Sequence, residues 1–284
     1  MNDEKLWQRL TTIYDTGEAK AIVRMLLEVR FGLSLTDIVC GKLEQMTEQE
    51  LQELEVMMKR LEKGEPVQYV LGVADFCGRS FHVEPGVLIP RPETAMLCEI
   101  IISLQKKAKK QAPHILDIGT GSGCIAITLA LDLPRSRVKA WDISDAALRI
   151  AQENANSLGA KVTFEKQDAL LAANGQQPVS NHYDIIVSNP PYIQPSESDE
   201  MEKNVLNYEP QEALFAPKNN PIIFYQCIAD EAWATLNTEG MLFFELNPLT
   251  ADAVALYVQQ LGFSDVELLE DQYGKQRFLK AIKI

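Results

Sequence analysis

The segment Leu116-Asp117-Ile118-Gly119-Thr120-Gly121-Ser122-Gly123-Cys124 decides the fold. Residues 114–119 are mostly apolar and predict a short buried strand, and the apolar run 124–131 beyond the glycines predicts a helix. A strand, a tight glycine loop and a helix in this order begin a doubly wound α/β sheet. Glycines let a ligand approach the backbone closely, and the helix N-terminus offers unpaired N–H groups. The segment therefore predicts a ligand site at the carboxyl end of the strand.

The spacing of the glycines restricts the ligand. A dinucleotide fingerprint needs G-x-G-x-x-G or G-x-G-x-x-A, and a P-loop needs G-x-x-x-x-G-K-[ST]. Cys124 occupies the last position of the first pattern, and the second is absent. The pattern present, D-x-G-x-G-x-G, resembles the first motif of Rossmann-like methyltransferases, where the acid and loop hold the amino-acid end of S-adenosylmethionine. This resemblance implies cofactor-binding roles for Asp117, Gly119, Thr120, Gly121, Ser122 and Gly123.

Two further acids lie at the ends of the next two predicted strands. Asp142 ends the strand over residues 138–143, and Asp168 follows the strand over 162–167. A carboxylate at the first position can accept both ribose hydroxyls, and one at the second can accept the adenine amino group. Each acid alone is also explained as a helix cap. Three acids at successive strand ends predict one cofactor site, to which we add Ile143, the neighbour of Asp142.

The loop Asn189-Pro190-Pro191-Tyr192 follows the fourth predicted strand, residues 183–188, and so starts beside the glycine loop. An amide or aromatic amine nitrogen is a poor nucleophile because its lone pair is delocalised. The Asn189 side-chain oxygen and the Pro190 carbonyl can accept its two N–H groups and orient it. The prolines stiffen the loop, and the Tyr192 ring can pack on a planar group.

We therefore predict methyl transfer to a planar nitrogen. Asn189, Pro190 and Tyr192 are the predicted catalytic residues, and Pro191 joins them in binding substrate. Asn189 has no useful proton affinity and cannot act as a general base. A rigid turn is the purely structural alternative for this loop.

The rest of the chain suggests further parts. Residues 1–73 predict a helical bundle, with a capping box at Thr47 and Glu50 and a short helix over 36–43. Four prolines interrupt residues 66–92, where strands over 79–83 and 87–89 predict a hairpin turning at Glu84-Pro85-Gly86. Strands and helices then alternate, which predicts a mostly parallel sheet covered on both faces. The last two strands, 266–269 and 277–282, lack an intervening helix and predict an antiparallel edge pair.

Composition limits the partners. The 284 residues carry a net charge of −13, which disfavours direct binding to nucleic acid. We interpret the one dense basic run, Lys106, Lys107, Lys109 and Lys110, as a solvated helix C-terminus. Five cysteines without C-x-x-C spacing and three scattered histidines predict no metal site. No apolar run reaches the ~18 residues of a membrane helix, and no signal peptide is evident, so we expect a cytoplasmic protein without membrane contact.

Three stretches together resemble the peptide chain release factor glutamine methyltransferases, the PrmC/HemK family. They are Gly64-Glu65-Pro66-Val67-Gln68-Tyr69, Val87-Leu88-Ile89-Pro90-Arg91-Pro92-Glu93-Thr94 and Asn189-Pro190-Pro191-Tyr192-Ile193. The resemblance implies methyl transfer from S-adenosylmethionine to the glutamine of the Gly-Gly-Gln motif of class 1 release factors. It places Ala169 and Asn189 around the cofactor. It places Arg91 and Thr94 at the border of the site, with a purely structural role as the alternative for Arg91. The chain departs from the family at Ala95, where Glu is usual, and at Asn247, where Gly is usual.

The resemblance also implies the fold and its division. We expect an α/β fold: a Rossmann-like class I methyltransferase sheet with an N-terminal helical bundle domain. Residues 1–73 would form a helical substrate-recognition domain, 74–92 a β-hairpin linker, and 93–284 the S-adenosylmethionine-dependent methyltransferase domain. We expect the chain to act as a monomer on its release factor partner.

Three rival functions explain part of the sequence. An adenine N6-methyltransferase shares the glycine loop and N-P-P-Y but predicts a basic groove and a device to extrude a base. A non-catalytic scaffold that binds the cofactor has no need of an intact N-P-P-Y. A nicotinamide oxidoreductase is disfavoured by Cys124.

Overall fold

The computed structural model describes residues 3–108, 112–172 and 182–284. The chain divides into two compact units. One contains Met1–Val73 together with Met201–Tyr208, and the other contains Ala74–Glu200 and Glu209–Ile284. The sequence gives no sign that a segment near residue 200 belongs with the N-terminal helices.

The α-helices of the described ranges are α1 (Asp3–Gln8), α2 (Thr16–Phe31), α3 (Leu35–Val39), α4 (Glu48–Leu61), α5 (Val67–Leu71), α6 (Pro92–Ala108), α7 (Cys124–Asp132), α8 (Asp145–Leu158), α9 (Ala169–Ala172), α10 (Lys203–Tyr208), α11 (Gln211–Leu214), α12 (Ile223–Thr235) and α13 (Ala251–Leu261). The strands are β1 (Val73–Phe76), β2 (Arg79–His82), β3 (His114–Ile118), β4 (Arg137–Asp142), β5 (Val162–Lys166), β6 (Tyr183–Ser188), β7 (Leu236–Glu245), β8 (Ser264–Glu270) and β9 (Gln276–Ile282).

The first unit is a helical bundle with its own core. The predicted capping box begins α4: the Thr47 side chain accepts from the Glu50 N–H while the Glu50 carboxylate accepts from Thr47. The apolar faces of α2 and α4 both contribute to this core, with Leu26 and Met58 fully buried. The short helix predicted over 36–43 is divided into α3 and a 3₁₀ turn at Lys42–Gln45, because Gly41 between them has a φ of +79°.

The second unit is built on a seven-stranded sheet of order β5-β4-β3-β6-β7-β9-β8. The strands from β5 to β7 are parallel, and β9 pairs antiparallel with both β7 and β8, which confirms the predicted edge pair. Alternate strand residues fill two cores, one on each face, because side-chain direction alternates along a strand. Leu116 belongs to one core and its neighbour Ile115 to the other. The strand order reverses between β3 and β6, so the ligand site predicted there lies at the switch point.

The predicted hairpin needs correction. Its strands are β1 and β2, which turn at Cys77 and Gly78 with φ values of 51° and 69°. The strand predicted over 87–89 is wrong: that segment is irregular. Positive φ at both central residues suits a two-residue hairpin, but Cys77 lacks the usual Asn or Asp signal. The Glu84-Pro85-Gly86 sequence, although rich in turn residues, starts an irregular segment instead.

The predictions about the basic run, membrane helices and metal sites concern residues in the described ranges, with two exceptions in the basic run. Lys106 lies in the last turn of α6, as expected for the basic run, whereas Lys109 and Lys110 fall outside the described residues. Within residues 3–108, 112–172 and 182–284, no helix is both long and apolar enough to cross a bilayer. The same ranges contain no group of three or more His, Cys, Asp and Glu side chains placed to hold a metal ion.

Candidate active site

The glycine loop makes a sharp turn between β3 and α7. Gly119, Gly121 and Gly123 have φ values of +77°, +55° and +82°, in the left-handed region that other residues rarely adopt. A Cβ at Gly123 would lie 2.8 Å from Ile127 Cδ1 and 3.1 Å from Ala151 Cβ. A Cβ at Gly121 would meet no protein atom within 4 Å. The third glycine therefore allows close packing of α7 and α8, while the second leaves open space.

That open space is a cavity of about 270 Å³ at the carboxyl ends of the parallel strands. Its walls include nine residues predicted for the site, namely Gly119, Gly121, Asp142, Ile143, Asp168, Ala169, Asn189, Pro190 and Pro191. Five predicted residues are not in its lining, namely Asp117, Thr120, Ser122, Gly123 and Tyr192. The first four of these are buried within the loop and its flanks.

Asp117 has an incomplete set of hydrogen bonds. Its Oδ2 accepts from Thr120 Oγ1 at 2.7 Å and from the Ala126 N–H at 3.2 Å. No residue in the described ranges donates to its buried Oδ1. Burial raises the pKa of this carboxyl to about 7. A buried acceptor without a donor suits a ligand that carries a cationic amino group, as S-adenosylmethionine does.

The other two acids also cap backbone N–H groups. Asp142 accepts from the Gly121 N–H at 2.8 Å and the Ser144 N–H at 2.9 Å, and burial raises the pKa of its carboxyl. Asp168 accepts from the Leu170 N–H at 2.8 Å. A carboxylate has about four acceptor sites, so capping leaves capacity for ligand hydroxyl or amino groups. Between the two acids, the apolar side chain of Ile143 is 57% exposed, which suits a flat heterocycle.

The N-P-P-Y loop starts beside the glycine loop. Ile118 and Ser188 are register partners in β3 and β6, and Ser188 Oγ donates to the Ile118 carbonyl at 2.6 Å. A Cβ at Gly119 would be 4.0 Å from the Asn189 carbonyl oxygen. The sheet therefore brings the two predicted loops together at one cavity wall.

A hydrogen-bond chain behind Asn189 was not predicted. Asn189 Nδ2 donates to Thr94 Oγ1 at 3.2 Å, and Thr94 Oγ1 donates to Glu245 Oε2 at 2.7 Å. The Tyr192 hydroxyl donates to the other oxygen of Glu245 at 3.2 Å. Glu245 is 1% exposed, and burial raises its pKa to about 7. Its position at the end of β7, on the same edge as the other acids, was the available sequence signal.

An ion pair joins two segments of the cavity wall. Arg91 Nη2 lies 2.5 Å from Glu209 Oε1, and the Ile89 N–H donates to Glu209 Oε2 at 3.0 Å. Val87 lines the cavity from the first segment and Pro210 from the second. Arg91, which the family resemblance placed at the border of the site, therefore fastens its wall. Glu209 was not predicted.

Models of two known protein families match this chain. Residues 94–213 match the family model of the methyltransferase small domain, and residues 6–72 match that of the PrmC N-terminal domain. A release factor glutamine methyltransferase of Bacteroides thetaiotaomicron is 45% identical over 274 residues, covering 96% of each chain. The one from Flavobacterium psychrophilum is 38% identical, over 96% of this chain and 95% of its own.

Solved structures agree on the fold. A methyltransferase from Pyrococcus furiosus aligns with a TM-score of 0.51 at 20% identity, over 73% of this chain and 90% of its own. A 16S rRNA methyltransferase of Thermus thermophilus, solved with AdoMet and guanosine, aligns with a TM-score of 0.55 at 20% identity, over 75% and 50%. The expected Rossmann-like methyltransferase sheet is confirmed. The chain is 45% and 38% identical to these two curated relatives over 96% of its length, which shows its family. It belongs to the release factor glutamine methyltransferases.

Proposed function

We propose that this enzyme methylates the side-chain amide nitrogen of the glutamine in the Gly-Gly-Gln motif of class 1 peptide chain release factors, using S-adenosylmethionine. The observation that carries the proposal is that Asn189 and Pro190 line the same cavity as the glycine loop, Asp142 and Asp168. Family membership supports the same substrate.

The cofactor occupies the cavity in this proposal. Asp117 and the glycine loop hold its amino-acid end, Asp142 its ribose hydroxyls, and Asp168 with Ala169 its adenine. Ile143 packs on the heterocycle, and Asn189 borders the reactive end. Thr120, Ser122 and Gly123 act from behind, by shaping the loop. When bound, S-adenosylmethionine supplies an electrophilic methyl group.

The substrate amide enters beside Asn189. Asn189 Oδ1 and the Pro190 carbonyl accept its two N–H groups, which turns the nitrogen toward the methyl donor. This favours sp³ character as the new N–C bond forms and the sulfur–methyl bond of the donor breaks, with its electron pair left on sulfur. The nitrogen then releases a proton to solvent, since Asn189 is no base. Pro191 keeps the loop rigid, and the Tyr192 ring packs on the planar amide.

The remaining parts of the proposal concern the partner. The helical unit recognises the release factor, and the hairpin links it to the methyltransferase domain. The enzyme works as a cytoplasmic monomer and makes no direct contact with nucleic acid. Light scattering of the enzyme alone and mixed with release factor tests the stoichiometry, and a stable dimer would overturn the monomer.

Peptide mapping by mass spectrometry tests the main proposal. Unmethylated release factor is incubated with enzyme and S-adenosylmethionine and then digested. One added methyl group on the Gly-Gly-Gln glutamine is expected. Methylation at another residue, or none, would contradict the proposal.

A further inference from the structure

Glu245 fixes the orientation of the Asn189 amide through Thr94, and we infer that it is a positioning residue for methyl transfer. The inference rests on the proposed function, because orientation matters only if Asn189 receives a substrate N–H. Neither Glu245 nor Thr94 lines the cavity. Both act through Asn189 rather than on the substrate.

The direction of each hydrogen bond between Glu245, Thr94 and Asn189 follows from the chemistry of the groups that form it. An ionised carboxylate only accepts hydrogen bonds, so the Thr94 hydroxyl must donate its one proton to Glu245. Thr94 Oγ1 then has only lone pairs left for Asn189, and it selects the NH₂ end of that amide. The opposite atom, Oδ1, accepts from no residue in the described ranges. It is therefore the acceptor left for a substrate amide.

The same carboxylate also holds the far end of the loop. Its second oxygen accepts from the Tyr192 hydroxyl, so one buried group constrains both Asn189 and Tyr192. Asn247, where the family usually has glycine, donates from Nδ2 to the Tyr192 carbonyl at 3.1 Å. Because Asn247 anchors the loop independently, loss of the Thr94 hydroxyl releases the Asn189 amide without freeing the whole loop.

Protonation of Glu245 would remove the fixed direction of these hydrogen bonds, because a carboxylic acid can donate to Thr94. Thr94 could then donate to Asn189 Oδ1 instead of accepting from its NH₂ group. Arg277 lowers the pKa of Glu245, and Glu93 raises it. The other titratable groups facing it are the hydroxyls of Tyr192 and Tyr225 and the thiol of Cys124. The pKa of each of those three is raised by burial, so they stay neutral near pH 7.

The kinetic test compares Thr94→Val, Thr94→Ser and Glu245→Gln with the parent enzyme on unmethylated release factor. Valine keeps the shape of threonine and removes the hydroxyl, so we expect kcat to fall on the order of tenfold with an unchanged Kd for S-adenosylmethionine. Serine keeps the hydroxyl and should restore kcat to within about twofold. An unchanged kcat in Thr94→Val, or a loss that serine does not rescue, would overturn the inference.

A second measurement does not depend on activity. The side-chain ¹⁵N–¹H₂ signals of Asn189, assigned by their absence in Asn189→Ala, are followed against pH in the ligand-free enzyme. We expect them to titrate near pH 7 in the parent and to stay constant in Glu245→Gln. Signals that do not move in the parent, or that titrate equally in both, would overturn the inference. A parent enzyme that fails to methylate release factor would instead refute the proposed function, while the titration would still show whether Glu245 orients the Asn189 amide.

Discussion

At the scale of single residues, the site contains two buried carboxyls with different surroundings. Asp117 and Glu245 both have a pKa raised to about 7 by burial. Glu245 has a donor on each oxygen, whereas Asp117 has both of its donors on one. Asp117 is therefore the acid with a buried oxygen left for a ligand to satisfy.

We predict that Asp117→Asn stabilises the ligand-free enzyme and weakens cofactor binding. An acid whose folded pKa is raised loses stability as pH rises from its unfolded value, about 4, to its folded value near 7, because only the unfolded chain releases the proton. The Asn oxygen can still accept from Thr120 and Ala126. We expect a gain on the order of 2 kcal/mol at pH 8 and little near pH 4.

Urea unfolding at both pH values measures the gain, and calorimetry with S-adenosylmethionine measures the Kd. Thr120→Val is the matched control, because it removes a donor and keeps the charge. Equal affinity in Asp117→Asn and parent would contradict the role assigned to this acid.

The sequence was sufficient to predict the candidate site residues that lie at the ends of strands. Asp117 and Asp142 lie near the ends of β3 and β4, and Asn189 directly follows β6. Parallel strands bring their carboxyl ends to one edge. The link from Asn189 to Glu245 was not predicted, because Thr94 lies 95 positions away and contacts depend on how α6 packs. Nor does sequence pattern distinguish a lining residue from a buried one, as Gly121 and Gly123 illustrate.

At the scale of elements, we expect substitutions at these two glycines to have different effects on cofactor binding and stability. Gly121→Ala puts a methyl group into the cavity and costs roughly 1 kcal/mol for the left-handed backbone. Gly123→Ala adds contacts with Ile127 and Ala151 that are too close, and we expect a loss of roughly 3 kcal/mol. Cofactor Kd and thermal unfolding are measured for both. A larger stability loss in Gly121→Ala than in Gly123→Ala would contradict the packing role of the third glycine.

The ion pair between the irregular segment after β2 and the segment before α11 gives another prediction. Arg91→Ala leaves the Glu209 carboxylate buried with only the Ile89 N–H, and we expect a loss of about 2 kcal/mol, since Arg91 itself is partly exposed. Glu209→Gln keeps an acceptor for Ile89 and removes the buried charge, so its loss should be smaller. Chemical denaturation compares the two variants, and the reverse order would refute this account of the wall.

The hairpin shows why element boundaries were harder to predict than elements. The strand Tyr183–Ser188 was predicted with its observed bounds, because an apolar run marks it. The hairpin turn was misplaced, because Cys77 adopts a positive φ that its residue type rarely does. The proline-rich segment that was taken for its second strand forms cavity wall instead.

At the scale of the whole molecule, the fold follows from a few local decisions. The glycine loop sets the first β-α unit, and the reversal of strand order places N-P-P-Y beside it. The grouping of Met201–Tyr208 with the N-terminal helices could not be predicted, since no periodic signal joins segments so distant in sequence. The net charge of −13 disfavours a nucleic-acid substrate. One direct test distinguishes the proposed function from an adenine N6-methyltransferase.

That test uses tritiated S-adenosylmethionine with unmethylated class 1 release factor. It runs beside a release factor whose Gly-Gly-Gln glutamine is replaced by alanine, an unmethylated duplex DNA, and the Asn189→Ala enzyme. We predict label on the intact release factor alone, with kcat lower by on the order of 10² in Asn189→Ala. Label on the DNA and not on the release factor, or label that survives the loss of the glutamine, would contradict the account.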